Sequence, residues 1–304
     1  MRLFDLYVFA DYSGASRDAG KVEVWKSGPT GNPKPIRDGI SKYSRQTARI
    51  AVERLLDDND ATKVRVVLGF DHQYSWPPRL WNAAKLNDLP WREAIRVLND
   101  GVGGRPQLDI PARYCAAFNA WCGFEAFWAP IQRKAQSYKI SSNAPTGPTD
   151  SSFRVTERAS PFRYWPPKIN ENSRPKPADA VGGQGEGAVG GQTICGLAHI
   201  TKLLKREDLA WWPFDGLHIN DPAFAGKHVA VEIYPEIKRP KDIRKSDEND
   251  SIVTCKYVRW HDKNGRLETV MDLRPVLNNK DLVERIRQEG WILGMDPSTV
   301  LGKD

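Results

Sequence analysis

Acidic residues at the ends of apolar segments are the feature that most constrains how this chain can fold. Residues 3–11 are rich in Leu, Tyr, Val and Phe and end at Asp11, and residues 64–70 form a nearly continuous apolar run that ends at Asp71. An apolar run of this kind is typical of a strand that is buried on both faces of a parallel sheet. The sequence therefore predicts an α/β fold in which two buried strands each end in a carboxylate.

The other apolar patterns alternate between strands and helices. Further strands are predicted at 21–26 and at 228–233, and Glu232 lies inside the second of these runs. Helical spacing of apolar residues predicts helices at 44–56, 91–98, 112–128, 193–204, 246–260 and 279–288. Ser44 or Thr47 is a candidate cap for the first helix and Ser246 for the fifth. These elements together predict a mixed sheet that is flanked by helices.

The middle of the chain differs in composition from its two ends. Residues 137–191 are rich in Pro, Gly, Ser and Asn and contain few apolar residues, which indicates long loops. We therefore expect one domain over residues 1–262, interrupted at about 76–225 by a large helical and loop insertion. Residues 263–304 are expected to be a C-terminal extension that packs on the same domain.

Composition narrows the class of protein further. The 304 residues include 45 Lys and Arg against 38 Asp and Glu, and the resulting net charge of +7 favours polyanionic partners such as nucleic acid. The four cysteines form no C-x-x-C motif, which argues against a structural zinc site and fits unpaired thiols in a reducing cytoplasm. No apolar run approaches the roughly 18 residues that a membrane helix needs. We predict a cytoplasmic protein that does not associate with membranes.

The acidic residues at the strand ends predict a site for a divalent metal. Mg²⁺ and Mn²⁺ prefer oxygen ligands, and a pair of such ions can bind both the attacking and the leaving oxygen of a phosphodiester. Because one carboxylate holds Mg²⁺ only weakly, several must converge from distant segments. The predicted catalytic residues are Asp11, Asp71, Glu232 and Asp250, and the predicted metal ligands are Asp11, Asp71, Asp247 and Asp250. Glu157 is held in reserve as a further candidate from the insertion.

Each of these acids also has a structural interpretation. Asp247 falls in the first turn of a predicted helix, where a negative charge is favourable without any metal. Asp71 could cap a turn, and Glu232 could face solvent on an edge strand. The constellation therefore carries more weight than any one of its members.

The order of elements and acids resembles that of the RNase H-like superfamily, whose members carry an Asp on the first strand, an acid at a later strand end and acids on a late helix. The spacing Asp247-x-x-Asp250 is similar to that of the last-helix acids of RuvC-type resolvases. Within the superfamily the chain looks most like DUF429, a bacterial family of predicted nucleases. The segments that carry the resemblance are FADYSG at 9–14, GFD at 69–71, VEIYPE at 231–236, ENDS at 248–251 and EGWILG at 289–294.

The resemblance implies an RNase H-like fold and metal-dependent hydrolysis of phosphodiester bonds in DNA or RNA, with Mg²⁺ or Mn²⁺ as cofactor. One segment departs from the family pattern. The last helix of DUF429 proteins usually looks like Asp-Ala-x-x-x-Ala, whereas this chain reads Asp-Ser-Ile-Val-Thr-Cys from Asp250. The small residues after the acid are therefore kept only in part.

Two basic stretches are candidates for contacts with nucleic acid, because cations bind the phosphate backbone and flat rings stack on bases. The first interleaves Arg154 and Tyr164 with the predicted contacts Arg158, Arg163, Trp165 and Lys168. The second contains Lys238, Arg239, Lys241, Arg244 and Lys245, between the segment of Glu232 and the helix of Asp250. The structural alternative for both stretches is a solvated loop.

Two other functional classes remain open from the sequence. The actin-like ATPase and sugar-kinase fold is a relative that shares the opening hairpin, and residues 11–14 imitate its phosphate-gripping turn. A non-catalytic module that binds nucleic acid on the same scaffold would use the acids for structure alone. Metal-dependent strand cleavage would separate a nuclease from both.

Overall fold

A computed structural model describes residues 2–11, 22–37, 43–100, 111–123, 125, 127–128, 132–142, 154–159, 190–235 and 246–301. Within these residues the strands are β1 (Leu6–Asp11), β2 (Glu23–Ser27), β3 (Lys34–Pro35), β4 (Val66–Phe70), β5 (Leu209–Trp212) and β6 (His228–Glu232). They form one sheet in the order β3-β2-β1-β4-β6-β5. Strands β1, β4, β6 and β5 run parallel to one another, and β2 is antiparallel to both of its neighbours.

Helices flank this sheet. Those of the described residues are α1 (Arg45–Asp57), α2 (Pro78–Ala84), α3 (Trp91–Asp100), α4 (Pro111–Cys122), α5 (Gln132–Tyr138), α6 (Gly190–Leu203), α7 (Asp247–Lys263), α8 (Leu267–Val270) and α9 (Lys280–Glu289). The predicted α/β class, with a mixed sheet and flanking helices, is confirmed. The arrangement is consistent with an RNase H-like sheet.

Both faces of the central strands are covered, which explains their nearly continuous apolar sequences. Val8 and Ala10 of β1 pack in a core with residues of α1, α3 and α6, while Tyr7 and Phe9 pack in a second core with residues of α7. Because successive strand residues point to opposite faces, each of these strands needs apolar side chains at every position. The acids therefore occur where the strands end.

Side-chain caps determine where α1 and α7 begin, as the sequence predicts. The Ser44 hydroxyl accepts a hydrogen bond from the Thr47 amide at 3.1 Å, and the Thr47 hydroxyl accepts one from the Ser44 amide at 2.8 Å. This reciprocal pair satisfies amides that the first helical turn leaves without partners. The Ser246 hydroxyl caps α7 in the simpler way, by accepting from the Asn249 amide at 3.2 Å.

Several elements differ from the sequence prediction, since β3, α2, α5 and α8 fall in segments for which no strand or helix was predicted. The helix expected over 112–128 ends at Cys122, because Gly123 adopts a left-handed conformation with φ of 66° that terminates a helix. Residues Leu209–Trp212 were not predicted to be a strand, yet they form β5 at the edge of the sheet. This strand lies inside the segment expected to be an insertion, so part of that segment belongs to the main sheet.

The chain beyond residue 263 contacts the carboxyl end of β6. The amide of Leu293 donates to the carbonyl of Glu232 at 2.9 Å, and Ile292 forms a bridge with the same residue. Met271, Ile286 and other apolar side chains of this region belong to the core on the α7 face of the sheet. Residues 267–295 thus contribute to the same core as β1 and β4.

None of the helices in the described part of the chain is both long and apolar enough to cross a membrane.

Candidate active site at the carboxyl ends of the strands

Asp11 and Asp71 lie side by side where two neighbouring strands end. Ala10 of β1 pairs with Phe70 of β4 in parallel register, and the amide of Asp71 donates to the carbonyl of Ala10 at 3.0 Å. Asp11 and Asp71 are the next residues in this register, so their backbones are one strand spacing apart, roughly 4.8 Å. Asp11 is 6% exposed and Asp71 is partly exposed. The structure therefore brings these two predicted residues together.

Helix α7 lies over the same end of β1 and carries Asp250. The hydroxyl of Ser251 donates to the carbonyl of Glu23 at 3.2 Å, and Glu23 is the residue that pairs with Asp11 in β2. One turn further on, the thiol of Cys255 lies 3.8 Å from the carbonyl of Tyr7. The first turns of α7 therefore cover the carboxyl end of β1, and Asp250 in those turns is buried.

The metal site was predicted to need several converging acids. Among the residues that the structure describes, no three His, Cys, Asp or Glu side chains come together as a group that could hold a metal ion. The side chain of Asp247 lies outside the described atoms. A pair of neighbouring carboxylates still fits the chemistry of Mg²⁺, which proteins commonly bind through one or two carboxylates while water and substrate phosphate fill the other positions.

Glu232 lies near these acids but is engaged differently. It pairs with Phe70, one position before Asp71 in the register between β4 and β6. Its two carboxylate oxygens accept hydrogen bonds from the guanidinium of Arg154 at 2.6 and 2.7 Å, and one of them also accepts the Tyr74 amide at 3.1 Å. Glu232 is therefore an ion-pair partner of Arg154, and binding a metal would require it to exchange that partner.

Arg154 is the centre of a buried polar cluster that sequence reasoning did not find. We call Arg154, Glu157, Glu232 and Gln73 the Arg154 cluster. Besides its bonds to Glu232, Arg154 donates from Nε to Glu157 at 3.0 Å. The side-chain amide of Gln73 donates to the same carboxylate oxygen of Glu157 at 2.5 Å. The guanidinium also reaches the carbonyl of Glu289 at 3.2 Å. All of its nitrogens therefore have acceptors, as a buried cation requires.

The electrostatics of the Arg154 cluster follow from burial and from its excess of carboxylates. Burial raises the pKa of Glu157 to about 7, although the neighbouring Arg154 acts in the opposite direction. Burial also works to lower the pKa of Arg154, but Glu232 and Glu157 outweigh it and keep that pKa above its ordinary value. Arg154 therefore remains a cation, and it lies between the two carboxyl groups of Glu157 and Glu232.

A cavity of about 20 Å³ lies between the Arg154 cluster and Asp71, with His72, Ile233, Tyr234 and Ile292 as its other lining residues. This volume admits about one water molecule. His72 on its wall is buried, and desolvation lowers the pKa of its imidazole to about 3, so this ring is neutral at neutral pH. Because the cavity holds no more than about one water molecule, any substrate must approach the acids from outside it.

The predicted nucleic-acid contacts lie outside the part of the chain that the structure describes. They are Arg163, Trp165, Lys168, Lys238, Arg239, Lys241, Arg244, Lys245 and the side chain of Arg158. Arg154 is the exception within the first basic stretch. Its side chain is buried and fully hydrogen-bonded inside the protein, so it faces no nucleic acid although it stands in this stretch.

One signal in the sequence pointed toward the Arg154 cluster. Glu157 was the reserve candidate from the insertion, and the structure buries it beside Asp71 in the wall of the same cavity. Its partner Arg154 is three residues away, but Glu232 is 78 residues from Arg154 along the chain. No local pattern links residues at that separation.

Comparison with protein-family models, with curated proteins and with solved structures gives no match to this chain.

Proposed function

We propose that the chain is a metal-dependent nuclease of the RNase H-like, DUF429 type that hydrolyses phosphodiester bonds of DNA or RNA. The observation that supports this proposal most is the register of β1 and β4, which sets Asp11 and Asp71 side by side at the carboxyl ends of these two strands. The first turns of α7, with Asp250, lie over the same strand end.

The proposed chemistry assigns a separate role to each residue. Asp11 and Asp71 hold the cation, because their carboxylates come from adjacent strand ends and the sheet keeps them close. Asp250 and Asp247 supply further negative charge from α7. When bound, Mg²⁺ or Mn²⁺ would polarise the scissile phosphate and make a water molecule more acidic. Glu232, which Arg154 holds, lies in the same region and accepts the Tyr74 amide next to the loop of Asp71.

Burial favours this arrangement at Asp11 in particular. A carboxylate that is 6% exposed interacts with a cation more strongly than one in bulk water, because less water screens the charges. Burial also restricts the rotamers of this side chain, so less side-chain freedom is lost when a cation binds. Isolated surface acids have neither property.

The proposed partner is nucleic acid and the proposed location is the cytoplasm. The net charge of +7 supports a polyanionic partner. The four cysteines are all free thiols, as expected in a reducing compartment.

The experiment is a cleavage assay with labelled single- and double-stranded DNA and RNA in the presence of Mg²⁺ or Mn²⁺. Wild type is compared with Asp11→Asn and Asp71→Asn, which keep size and shape while removing the charge. Asp60→Asn is the matched control, since Asp60 is an exposed turn residue that bonds Thr62. We expect cleavage that needs the metal, disappears in the first two variants and persists in the control. Metal-independent cleavage, or equal activity in all variants, would contradict the proposal.

A further inference from the structure

Arg154 comes from the insertion, yet its contacts converge on the loop that carries Asp71. The described residues 154–159 contain a short 3-10 turn, Val155–Arg158, whose amides and side chains are bound by the end of α9 and the residues that follow it. The Val155 amide donates to the Glu289 carboxylate at 2.6 Å, and the Thr156 hydroxyl accepts the Ile292 amide at 2.9 Å. Arg154 is thereby held at a fixed place beside the carboxyl end of β6.

Each of the two carboxylates held by Arg154 accepts a hydrogen bond from the segment just after Asp71. Glu157 accepts from the Gln73 side chain at 2.5 Å, and Glu232 accepts from the Tyr74 amide at 3.1 Å. Among the described hydrogen bonds, the Arg154 side chain donates to Glu157, Glu232 and the carbonyl of Glu289 and not to Gln73 or Tyr74. It fixes the two acceptors to which the segment is attached.

Tyr74 ties the same segment into the sheet. Its hydroxyl donates to the carbonyl of Val231 in β6 at 2.7 Å and accepts the amide of Phe70 in β4 at 2.9 Å. The phenol therefore bridges β4 and β6 where their pairing ends. Two attachments of residues 71–74, at the Tyr74 amide and at the Gln73 side chain, therefore depend on carboxylates that Arg154 orients. The other described attachments of this segment do not involve Arg154: the Tyr74 hydroxyl, the Asp71 amide on the carbonyl of Ala10, the Tyr74 carbonyl, which accepts from Trp91 Nε1 at 2.9 Å, and the Gln73 side-chain oxygen, which accepts from the Thr193 hydroxyl at 3.2 Å.

We propose that Arg154 is a positioning residue for the acid site: by orienting Glu157 and Glu232, it fixes residues 71–74 and with them the carboxylate of Asp71. This inference rests on the proposed metal-binding role of Asp71. It also gives the insertion a role in building the site, because the guanidinium that binds Glu157 and Glu232 belongs to residue 154. Groups that orient metal ligands from behind typically change metal affinity by about 10- to 100-fold when they are altered.

The test measures the dissociation constant of Mn²⁺ for the full chain by electron paramagnetic resonance of the free ion. Arg154→Lys is the decisive variant, since it keeps the charge and loses the planar fork that holds both carboxylates. We expect it to weaken Mn²⁺ binding by about 10-fold or more. Asp71→Asn should abolish the same binding. Near-UV circular dichroism identifies variants that remain folded.

Arg92→Met is the matched control. Arg92 forms a partly buried ion pair with Asp215 at 2.5 Å and has no hydrogen bond with residues 71–74 among the described contacts. Losing its bonds to Asp215, Leu204 and Leu209 lowers stability without removing a hydrogen bond to residues 71–74, so the Mn²⁺ affinity of Arg92→Met should stay within about twofold of wild type. A purely structural role for Arg154 predicts the same result for Arg154→Lys.

The outcomes separate this inference from the proposed function. Wild type that binds no Mn²⁺ contradicts the metal site and the inference with it. Wild type and folded Arg154→Lys that bind Mn²⁺ equally well overturn the inference alone. Hydrogen exchange of a peptide covering residues 71–76 provides a second measurement that needs no metal. Its exchange should accelerate in Arg154→Lys and not in Arg92→Met, and unchanged exchange would also overturn the positioning role.

Discussion

Replacing Arg154 by Met should destabilise the protein far more than the loss of an ordinary surface arginine. The substitution removes the bonds from the guanidinium to Glu232 at 2.6 and 2.7 Å and to Glu157 at 3.0 Å. Glu232 then keeps only the Tyr74 amide among the partners described above, in a site where its side chain is 3% exposed. Breaking a buried pair from one side typically costs about 3–5 kcal/mol, because a buried charge is left uncompensated.

The assay is urea unfolding followed by tryptophan fluorescence, with Arg274→Met as the control. Arg274 pairs with Asp272 at 2.7 Å, but its side chain is 55% exposed, so water screens the pair and its loss should cost far less than the loss of Arg154. The double variant Arg154→Met/Glu232→Met should be more stable than Arg154→Met alone, because it also removes the carboxylate that was left unpaired. If Arg154→Met costs no more than Arg274→Met, or if the double variant is the less stable, the argument from an uncompensated charge is refuted.

Three further predictions concern packing, pH and capping. Gly196→Ala should lower stability by about 1–3 kcal/mol in thermal unfolding, because a Cβ there would lie 2.3 Å from the ring of His72; an unchanged melting temperature would contradict this contact. His228 accepts the Val66 amide at Nδ1, and burial lowers the pKa of its imidazole below the ordinary 6.5. Its contribution to stability is therefore present above pH 6.5 and is lost as the pH falls below that value, so wild type should lose more stability than His228→Gln between pH 7 and pH 5 in urea unfolding; parallel losses would show that His228 does not carry the effect. Ser44→Ala removes one half of the reciprocal cap of α1 and should cost about 1 kcal/mol in urea unfolding, whereas a cost near zero would mean that the cap is not formed in solution.

The parts of the fold that were predicted correctly have local signals. The apolar runs of β1 and β4 are long enough to be recognised. Asp11 is the last residue of β1, and Asp71 directly follows β4. Ser44 and Ser246 mark the starts of their helices because a capping side chain acts within three residues. Where the interaction lies within one turn of the chain, sequence reasoning succeeds.

The parts that were missed depend on distant partners. Strand β5 has four residues, and only its pairing with β6 distinguishes LAWW from a buried helical segment or a packed loop. Arg154 was grouped with the first basic stretch because cations and flat rings alternate along it. Its actual surroundings are Glu157, Glu232 and the backbone of Glu289, and two of these lie on elements far along the chain.

The site shows the same division. The adjacency of Asp11 and Asp71 follows from two strand ends that are readable in the sequence, provided that the strands are neighbours and parallel. The role of Glu232 could not be predicted in this way. Its position within the predicted strand at 228–233 suggested a catalytic carboxylate. Its ion pair with Arg154 depends on a segment of the insertion that has no apolar pattern.

The central claim is that Asp11 and Asp71, at the carboxyl ends of β1 and β4, bind the cation of a nuclease site. Locating a bound ion tests this claim most directly. Crystals of the full chain grown with Mn²⁺ would show the ion by its anomalous scattering. The account predicts an anomalous peak within coordination distance, about 2.0–2.3 Å, of oxygens from both carboxylates, and no such peak in crystals of Asp71→Asn. A Mn²⁺ ion that binds only elsewhere in wild type would contradict the account. A peak beside Asp11 and residue 71 that persists unchanged in Asp71→Asn would contradict it as well.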